Sequence, residues 1–256
     1  MNFKINKGKS SIILSAIHDG QNIREELLPF LNLRPHERLR EEDPYTEYLT
    51  EISDTRIVVN TSRFEVDLNR PRDLAVYRSP SESWGLKVWK QPLPVDILSR
   101  SLEFYDKFYA EVGDLVWSII KSFGHFVVLD IHSYNQRHES NGASDAMNPE
   151  INIGTISVRP EWHFLVQNFI LKLSQGSIRN RRPDVRENVK FLGGEFCKWI
   201  NAKFGKYGCA IAVEFKKTFM DDATGRLDIH HLNELRQTLA FALPYLTNRL
   251  DLMLKS

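Results

Sequence analysis

The sequence is poor in cysteine: only Cys197 and Cys209 occur among its 256 residues. They form no CxxC pair, which excludes a disulfide scaffold and a cysteine-built zinc finger. The chain also has almost no excess of one charge, because it contains 34 Lys and Arg and 33 Asp and Glu. Without a basic surplus we expect neither nucleic acid nor a membrane surface as partner. No apolar run reaches the roughly 18 residues of a membrane span, and the polar residues 1–10 do not look like a signal peptide.

What the sequence does contain is enough apolar material for a core. Hydrophobic residues make up 42% of the chain and aromatic residues 11%, which excludes a disordered polypeptide. A length of 256 residues suits a single α/β domain over residues 1–256, and we expect that domain to be soluble and cytoplasmic. Because cysteine is so scarce, we expect any catalytic or metal-binding residues to be histidines and carboxylates.

Short apolar runs alternate with helical patterns along the chain. The runs predicted as buried strands are residues 11–17, 56–60, 125–131 and 209–215. The predicted helices are residues 22–31, 44–53, 95–123, 161–175, 187–204 and 229–254. Pro244 is expected to kink or split the last helix. The alternation predicts an α/β layered fold, and the uninterrupted apolar strands indicate a parallel or mixed sheet covered on both faces.

Histidines and a carboxylate lie where three of these strands end. His18 follows the first strand, His132 follows the third, and Glu214 lies in the fourth. In open α/β sheets, ligands collect at the carboxyl ends of strands. Two imidazoles with one carboxylate would make a three-ligand zinc site with an open fourth position, although either histidine could instead be a packed core residue. Asp130 points to the same side of its strand as His132, so it could orient that imidazole or pair with a backbone amide.

Two further stretches carry candidate site residues. Arg63, Asn69 and Arg70 follow a buried strand closely, and arginine is well suited to bidentate recognition of carboxylates. Asp67 could brace one of these arginines, or the whole stretch could be a surface salt-bridge cluster. Glu214 interrupts an apolar run and could serve as a general base, or it could pair with a following lysine at an exposed strand end. The polar stretch 133–160 fits either a binding loop or a surface excursion.

Seven segments in this order resemble the N-formylglutamate amidohydrolase family. They are SAIHDG (15–20), EDPYTE (42–47), SRFEVDLNRP (62–71), LDIHS (129–133), PEINIGT (149–155), GG (193–194) and VEFKKTFMD (213–221). Together they span about residues 11–225, and the combination of VDLNRP with DxHS is the most specific part. The resemblance implies a mixed central sheet flanked by helices, of the phosphorylase/hydrolase-like type found in zinc carboxypeptidases and aspartoacylases.

The same resemblance implies a metal site. His18, Asp43 and His132 match the family's zinc ligands, with one Zn²⁺ per chain and another divalent metal as an alternative. Glu42 and Glu47 lie close to Asp43 and remain alternatives for the third ligand.

The family's remaining functional residues also have counterparts. Glu214 matches the general acid/base, and Arg63 matches the arginine that polarises the scissile carbonyl. Asn69 and Arg70 match the residues that hold the substrate carboxylate. The implied activity is zinc-dependent hydrolysis of a small acidic N-acyl amino acid, with N-formyl-L-glutamate as the type substrate. Residues 72–93 and 134–146 depart from the family pattern. They leave open a carboxypeptidase- or deacylase-like hydrolase of a larger substrate, or a non-catalytic metal or small-acid binding module.

Overall fold

The computed structural model describes residues 2–135, 147–221 and 224–253. Its strands are β1 (Phe3–Asn6), β2 (Ile12–Ala16), β3 (Arg56–Val59), β4 (Phe126–Tyr134), β5 (Ile151–Gly154), β6 (Val185–Glu187) and β7 (Gly208–Lys216). Its α-helices are α1 (Pro35–Glu41), α2 (Thr46–Thr50), α3 (Val95–Phe123), α4 (His163–Ser174), α5 (Glu195–Phe204) and α6 (Ile229–Met253). Short 3-10 helices are found at Glu25–Leu27, Arg72–Leu74, Pro80–Glu82 and Pro160–Trp162.

The seven strands form one mixed sheet in the order β1-β3-β2-β4-β7-β5-β6. Strands β3, β2, β4 and β7 run parallel to one another and form its centre. Strand β1 pairs antiparallel with β3, and β5 pairs antiparallel with β7. The expected mixed central sheet flanked by helices is confirmed.

The alternation of side chains along β4 and β7 builds the two faces of the sheet. The odd-numbered residues of β4, such as Leu129, pack in one cluster with residues of α2, α4 and α6. The even-numbered residues, such as Val128 and Ala212 of β7, pack in a second cluster with residues of α3 and α5. Because side chains of a strand alternate between faces, Asp130, His132 and Glu214 continue the second set.

The long helix α3 has the bounds that its sequence pattern predicts, Val95–Phe123. It buries Phe104, Phe108, Val112 and Val116 at helical spacing against the sheet. It ends at Gly124, whose φ of 79° is the left-handed conformation that glycine adopts most readily.

Three helix predictions are corrected by the structure. Residues 22–31 contain only the 3-10 helix Glu25–Leu27, because Arg24 is tied by its backbone and guanidinium to the distant Glu65. In residues 187–204, Glu187 is the last residue of β6, and the chain becomes helical only at Glu195. Helix α6 runs through Pro244, which corrects the expectation of a split and leaves that of a kink untested.

The structure also has three strands that were not predicted. Strand β1 is short and lies at the sheet edge, with Phe3 and Ile5 only half-buried. Strand β5 lies inside the stretch 133–160 and is wholly buried, so this part belongs to the core and is not a surface excursion. Residues 136–146 of that stretch lie outside the described residues. No helix in the described part of the chain is long and apolar enough to cross a membrane.

Candidate metal centre and active site

Three adjacent parallel strands bring the central polar residues together. His18 follows β2, His132 lies on β4, and Glu214 lies on β7 directly opposite His132 in the strand register. All three side chains are buried. The sequence predicts that His132 lies just beyond its strand. Strand β4 instead continues to Tyr134, so His132 lies within the strand.

Asp43 joins the two histidines from the loop after α1. Its backbone N–H donates to the carbonyl of His18 over 2.9 Å, which holds the loop against the end of β2. Its Oδ2 lies 2.9 Å from Nδ1 of His132 and 3.6 Å from Nδ1 of His18. One ligand atom from each of the three side chains lies within 4.8 Å of the others. Two ligands of a tetrahedral zinc ion stand about 3.3 Å apart, so the spacing suits a metal.

Neither alternative third ligand belongs to this group. The carboxylate of Glu42 bonds to the Ser62 hydroxyl and lies 3.4 Å from an Arg38 nitrogen. Burial raises its pKa to about 7. Glu47 lies in the first turn of α2 and donates its backbone N–H to the Asp19 carboxylate. Among the described residues, the one group with metal-ligand spacing is that of His18, Asp43 and His132.

A second carboxylate stands behind each histidine. Nε2 of His18 lies 2.7 Å from Oδ1 of Asp67, and Nε2 of His132 lies 2.8 Å from Oδ2 of Asp130. A carboxylate accepts the Nε2 proton, so each imidazole presents its Nδ1 to Asp43. Nδ1 of His18 is buried and has no hydrogen-bond partner in the described part of the chain.

Asp67 combines two roles, of which sequence reasoning found one. Its Oδ2 accepts a 2.8 Å hydrogen bond from Arg63, as the bracing interpretation predicts, and it also accepts the Tyr77 hydroxyl. The contact with His18 was missed, because it joins residues 49 positions apart, which no local motif reveals.

The electrostatics of the group reflect its burial. Burial alone would raise the pKa of Asp43, but the hydrogen bond from His132 and the proximity of both imidazoles outweigh it and hold the pKa well below its usual range. Burial would lower the pKa of His132, but the charges of Asp130 and Glu214 raise it well above its usual value. The two imidazoles therefore lie among three carboxylates, those of Asp43, Asp67 and Asp130.

Glu214 is a buried carboxylate beside this group. Burial raises its pKa to about 7, with the charge of His132 opposing the shift. Lys217, one of the lysines considered as its partner, donates to the backbone carbonyls of Arg40 and Glu42 over 2.8 Å each. A carboxyl group with a pKa near neutrality can both accept and donate a proton at pH 7.

Arg63 lines the same cavity as the metal group and Glu214, and it brings a positive charge to that cavity. Besides its bond to Asp67, it lies 3.3 Å from the Glu41 carbonyl, and its guanidinium stacks 4.7 Å from the Trp84 ring centre. Its Nε is buried without a hydrogen-bond partner in the described residues.

Asn69 and Arg70 are placed differently from each other. Asn69 lines the cavity, with its Nδ2 3.5 Å from Nε2 of His132, and its Oδ1 accepts the backbone N–H of Phe196. Arg70 does not line it. Its guanidinium donates to the Glu82 carbonyl over 2.6 Å and lies over the ring of Tyr77.

The metal group, Glu214, Arg63 and Asn69 all line one cavity of about 140 Å³. Its lining consists of His18, Arg40, Glu41, Asp43, Arg63, Asn69, Trp84, His132, Ser133, Tyr134, Asn135, Phe191, Glu214 and Lys217. Two of these, Trp84 and Phe191, are large aromatic side chains that remain exposed by 46% and 36%. Neither was predicted as a site residue. The one signal in the sequence was Gly85, directly after Trp84, because glycine often marks a turn. In the structure Trp84 has a φ of 52°, which is unusual for a large side chain.

Comparison with known proteins assigns the chain to a family. The profile of the N-formylglutamate amidohydrolase family matches residues 10–220. The chain belongs to the N-formylglutamate amidohydrolase family. The match covers most of the chain and includes every site residue named above, and this family hydrolyses amide bonds.

Solved structures share the fold of this family member. N-formylglutamate amidohydrolase from Ralstonia eutropha JMP134 is 16% identical, with a TM-score of 0.69 over 95% of this chain and 97% of that one. A gene product of Agrobacterium tumefaciens is 18% identical, with a TM-score of 0.64 over 94% of each chain. No match was found among curated proteins. At these identities the likeness bears on the fold alone.

Proposed function

We propose that this chain is a single-domain, zinc-dependent amidohydrolase that cleaves the amide bond of a small N-acyl amino acid, with N-formyl-L-glutamate as type substrate. The observation that carries the proposal is the buried group of His18, Asp43 and His132 in the same cavity as Glu214 and Arg63. Membership of an amide-hydrolysing family supports it.

The donor set suits zinc. Two imidazoles and one carboxylate are ordinary zinc ligands, and three protein ligands leave a position open for catalysis. The unpartnered Nδ1 of His18 fits a ligand atom, because a buried nitrogen without a partner is otherwise costly. His18, Asp43 and His132 would hold the ion. When bound there, Zn²⁺ supplies a Lewis acid that lowers the pKa of water to about 7 and polarises a carbonyl group.

The chain's own residues handle the protons and the charge. Glu214 accepts the proton of the attacking water and passes it to the leaving amine nitrogen, a task suited to a pKa of about 7. The Arg63 guanidinium stabilises the negative charge that develops on the scissile carbonyl oxygen. Asp67 and Asp130 keep the two imidazoles in one orientation through their Nε2 atoms.

The amino-acid end of the substrate requires a cation. Asn69 lies at the cavity, and Arg70 follows it, with its guanidinium held over Tyr77. We propose that these two residues bind the substrate carboxylate and so set the position of the amide bond. Arg70 would have to leave its contact with the Glu82 carbonyl to reach this position.

Two substitutions test the division of labour. Asp43→Asn removes a proposed ligand, so bound zinc and formate release from N-formyl-L-glutamate should both fall. Glu214→Gln removes the proposed proton carrier, so zinc content should persist while turnover falls by at least about a hundredfold. Glu42→Gln is the matched control, because it alters the carboxylate beside Asp43 but outside the metal group. Loss of zinc in Glu42→Gln with retention in Asp43→Asn would contradict the ligand assignment.

A second candidate is a hydrolase of N-acyl amino acids with larger acyl groups. The exposed aromatic side chains of Trp84 and Phe191 at the cavity favour it, because they offer apolar surface that a formyl group does not need. A panel running from N-formyl to N-acetyl and N-benzoyl glutamate separates the two. Highest kcat/KM on the formyl substrate supports the first candidate. Highest kcat/KM on the benzoyl substrate, reduced by Trp84→Ala, supports the second.

A further inference from the structure

A second and larger cavity lies away from the metal group. It measures about 480 Å³, within the range of small-molecule sites. Its walls come from residues 76–80 and 87–93 and from the start of α3, and they include the apolar side chains of Val76, Val88, Trp89, Leu93 and Leu98. Several of these residues belong to a third apolar cluster, separate from the two that cover the sheet.

The charged residues that line this cavity are all cationic. They are Arg78, Lys87 and Lys90, and no aspartate or glutamate is among its lining residues. The carboxylate of Glu82 is not a lining group, and it accepts the backbone N–H groups of the lining residues Arg78 and Ser79. Lys90 uses one of its three donors on the Pro29 carbonyl over 3.3 Å. An apolar interior with cations in its lining matches a ligand that is apolar at one end and anionic at the other.

Hydrogen bonds hold the cavity walls in place. The Trp89 indole donates to the Tyr77 carbonyl over 2.9 Å. The backbone of Val88 accepts the N–H of Asn32, and the N–H of Lys90 donates to the Phe30 carbonyl. The site is therefore preformed, which reduces the ordering that a ligand would have to impose.

The two cavities are distinct. No residue that lines one also lines the other in the described structure. Hydrogen bonds link the larger cavity to the metal group. Tyr77 lines the larger cavity and donates its hydroxyl to Asp67, which is also hydrogen-bonded to His18.

We infer that this larger cavity binds a small carboxylic acid with an apolar body, with the body against Val88 and Trp89 and the carboxylate at Lys87, Lys90 and Arg78. The inference stands independently of what the chain hydrolyses, because it uses none of the metal-group residues.

The test is titration calorimetry on the full chain with 4-phenylbutyrate, compared with its uncharged analogue 4-phenyl-1-butanol. The acid should bind more tightly than the alcohol. Lys87→Gln/Lys90→Gln should weaken the acid by about two- to fivefold per charge and leave the alcohol unchanged. Lys7→Gln/Lys9→Gln, at two exposed lysines that do not line the cavity, is the charge-matched control and should change neither affinity.

A cavity-filling substitution locates the site. Leu98→Trp places a large ring in the cavity from a half-buried position on α3 and should weaken both ligands at least tenfold. Equal affinity for acid and alcohol, or the same loss in both lysine double variants, would overturn the inference, as would acid binding that Leu98→Trp leaves intact. The lysine variants decide the matter if Leu98→Trp does not fold.

Discussion

Replacing Asp67 by asparagine should damage both the stability of the chain and its affinity for zinc. Asp67 is fully buried and accepts hydrogen bonds from His18, Arg63 and Tyr77. Asparagine keeps the shape but removes the charge. Arg63 then keeps its hydrogen bond to the Glu41 carbonyl, but its mostly buried guanidinium loses the negative charge of Asp67 as counter-ion. Breaking a buried ion pair from one side costs about 3–5 kcal/mol.

The effect on metal binding has a separate cause. Without the Asp67 carboxylate, His18 loses the acceptor that fixes its orientation, and loss of such a partner typically weakens metal affinity about 10–100-fold. Zinc affinity would be measured by competition with a chelating dye. Stability would be measured by urea unfolding of the metal-free chain.

Asp130→Asn is the matched control. Asp130 is equally buried and stands behind His132 in the same way, but its other close hydrogen bond is to the Ser15 hydroxyl and not to an arginine. His132 would also keep Asp43 as a second carboxylate partner. Asp130→Asn should therefore weaken zinc by a similar factor but cost less stability, about 1–3 kcal/mol. Equal losses of stability, or unchanged zinc affinity in Asp67→Asn, would refute this reasoning.

Three further predictions concern packing and thiol chemistry. Gly20→Ala should lower the free energy of unfolding by more than about 2 kcal/mol, because its Cβ would lie 2.1 Å from a backbone carbon of Asn60. Gly113→Ala, where a Cβ meets only side-chain atoms at 3.6 Å or beyond, should raise that free energy by about 0.5–1 kcal/mol; destabilisation there would contradict the packing of α3. Burial raises the pKa of Cys209 to about 12 and that of Cys197 well above its usual value, so a thiol reagent at pH 8 should label neither until denaturant is added. Rapid labelling of the native chain would contradict this burial.

The central strands could be predicted because burial on both faces leaves a clear signal. Strands β2, β4 and β7 are wholly buried and mainly apolar, and their carboxyl ends led directly to His18, His132 and Glu214. Edge strands lack that signal. Strand β6 has three half-buried residues, and its identity depends on pairing with β5, which sequence periodicity does not reveal.

The rest of the site depends on contacts between distant segments. Motif resemblance left three neighbouring carboxylates as candidates, and the distances from the Asp43 carboxylate to Nδ1 of His132 and of His18 show that this is the one facing the histidines. Trp84 lines the cavity but lies in a segment that departs from the family pattern, so the resemblance could not predict it as a site residue. Arg70 shows the reverse case: the motif includes it, but its guanidinium lies over Tyr77 and not at the cavity.

Zinc titration of the metal-free chain tests the central claim most directly. Formate release from N-formyl-L-glutamate would be followed as zinc is added in fractions of an equivalent. If His18, Asp43 and His132 hold one catalytic ion, activity should rise linearly to one zinc per chain and then stay constant. Activity of the metal-free chain equal to that of the loaded chain, or an endpoint at two ions per chain, would contradict the account.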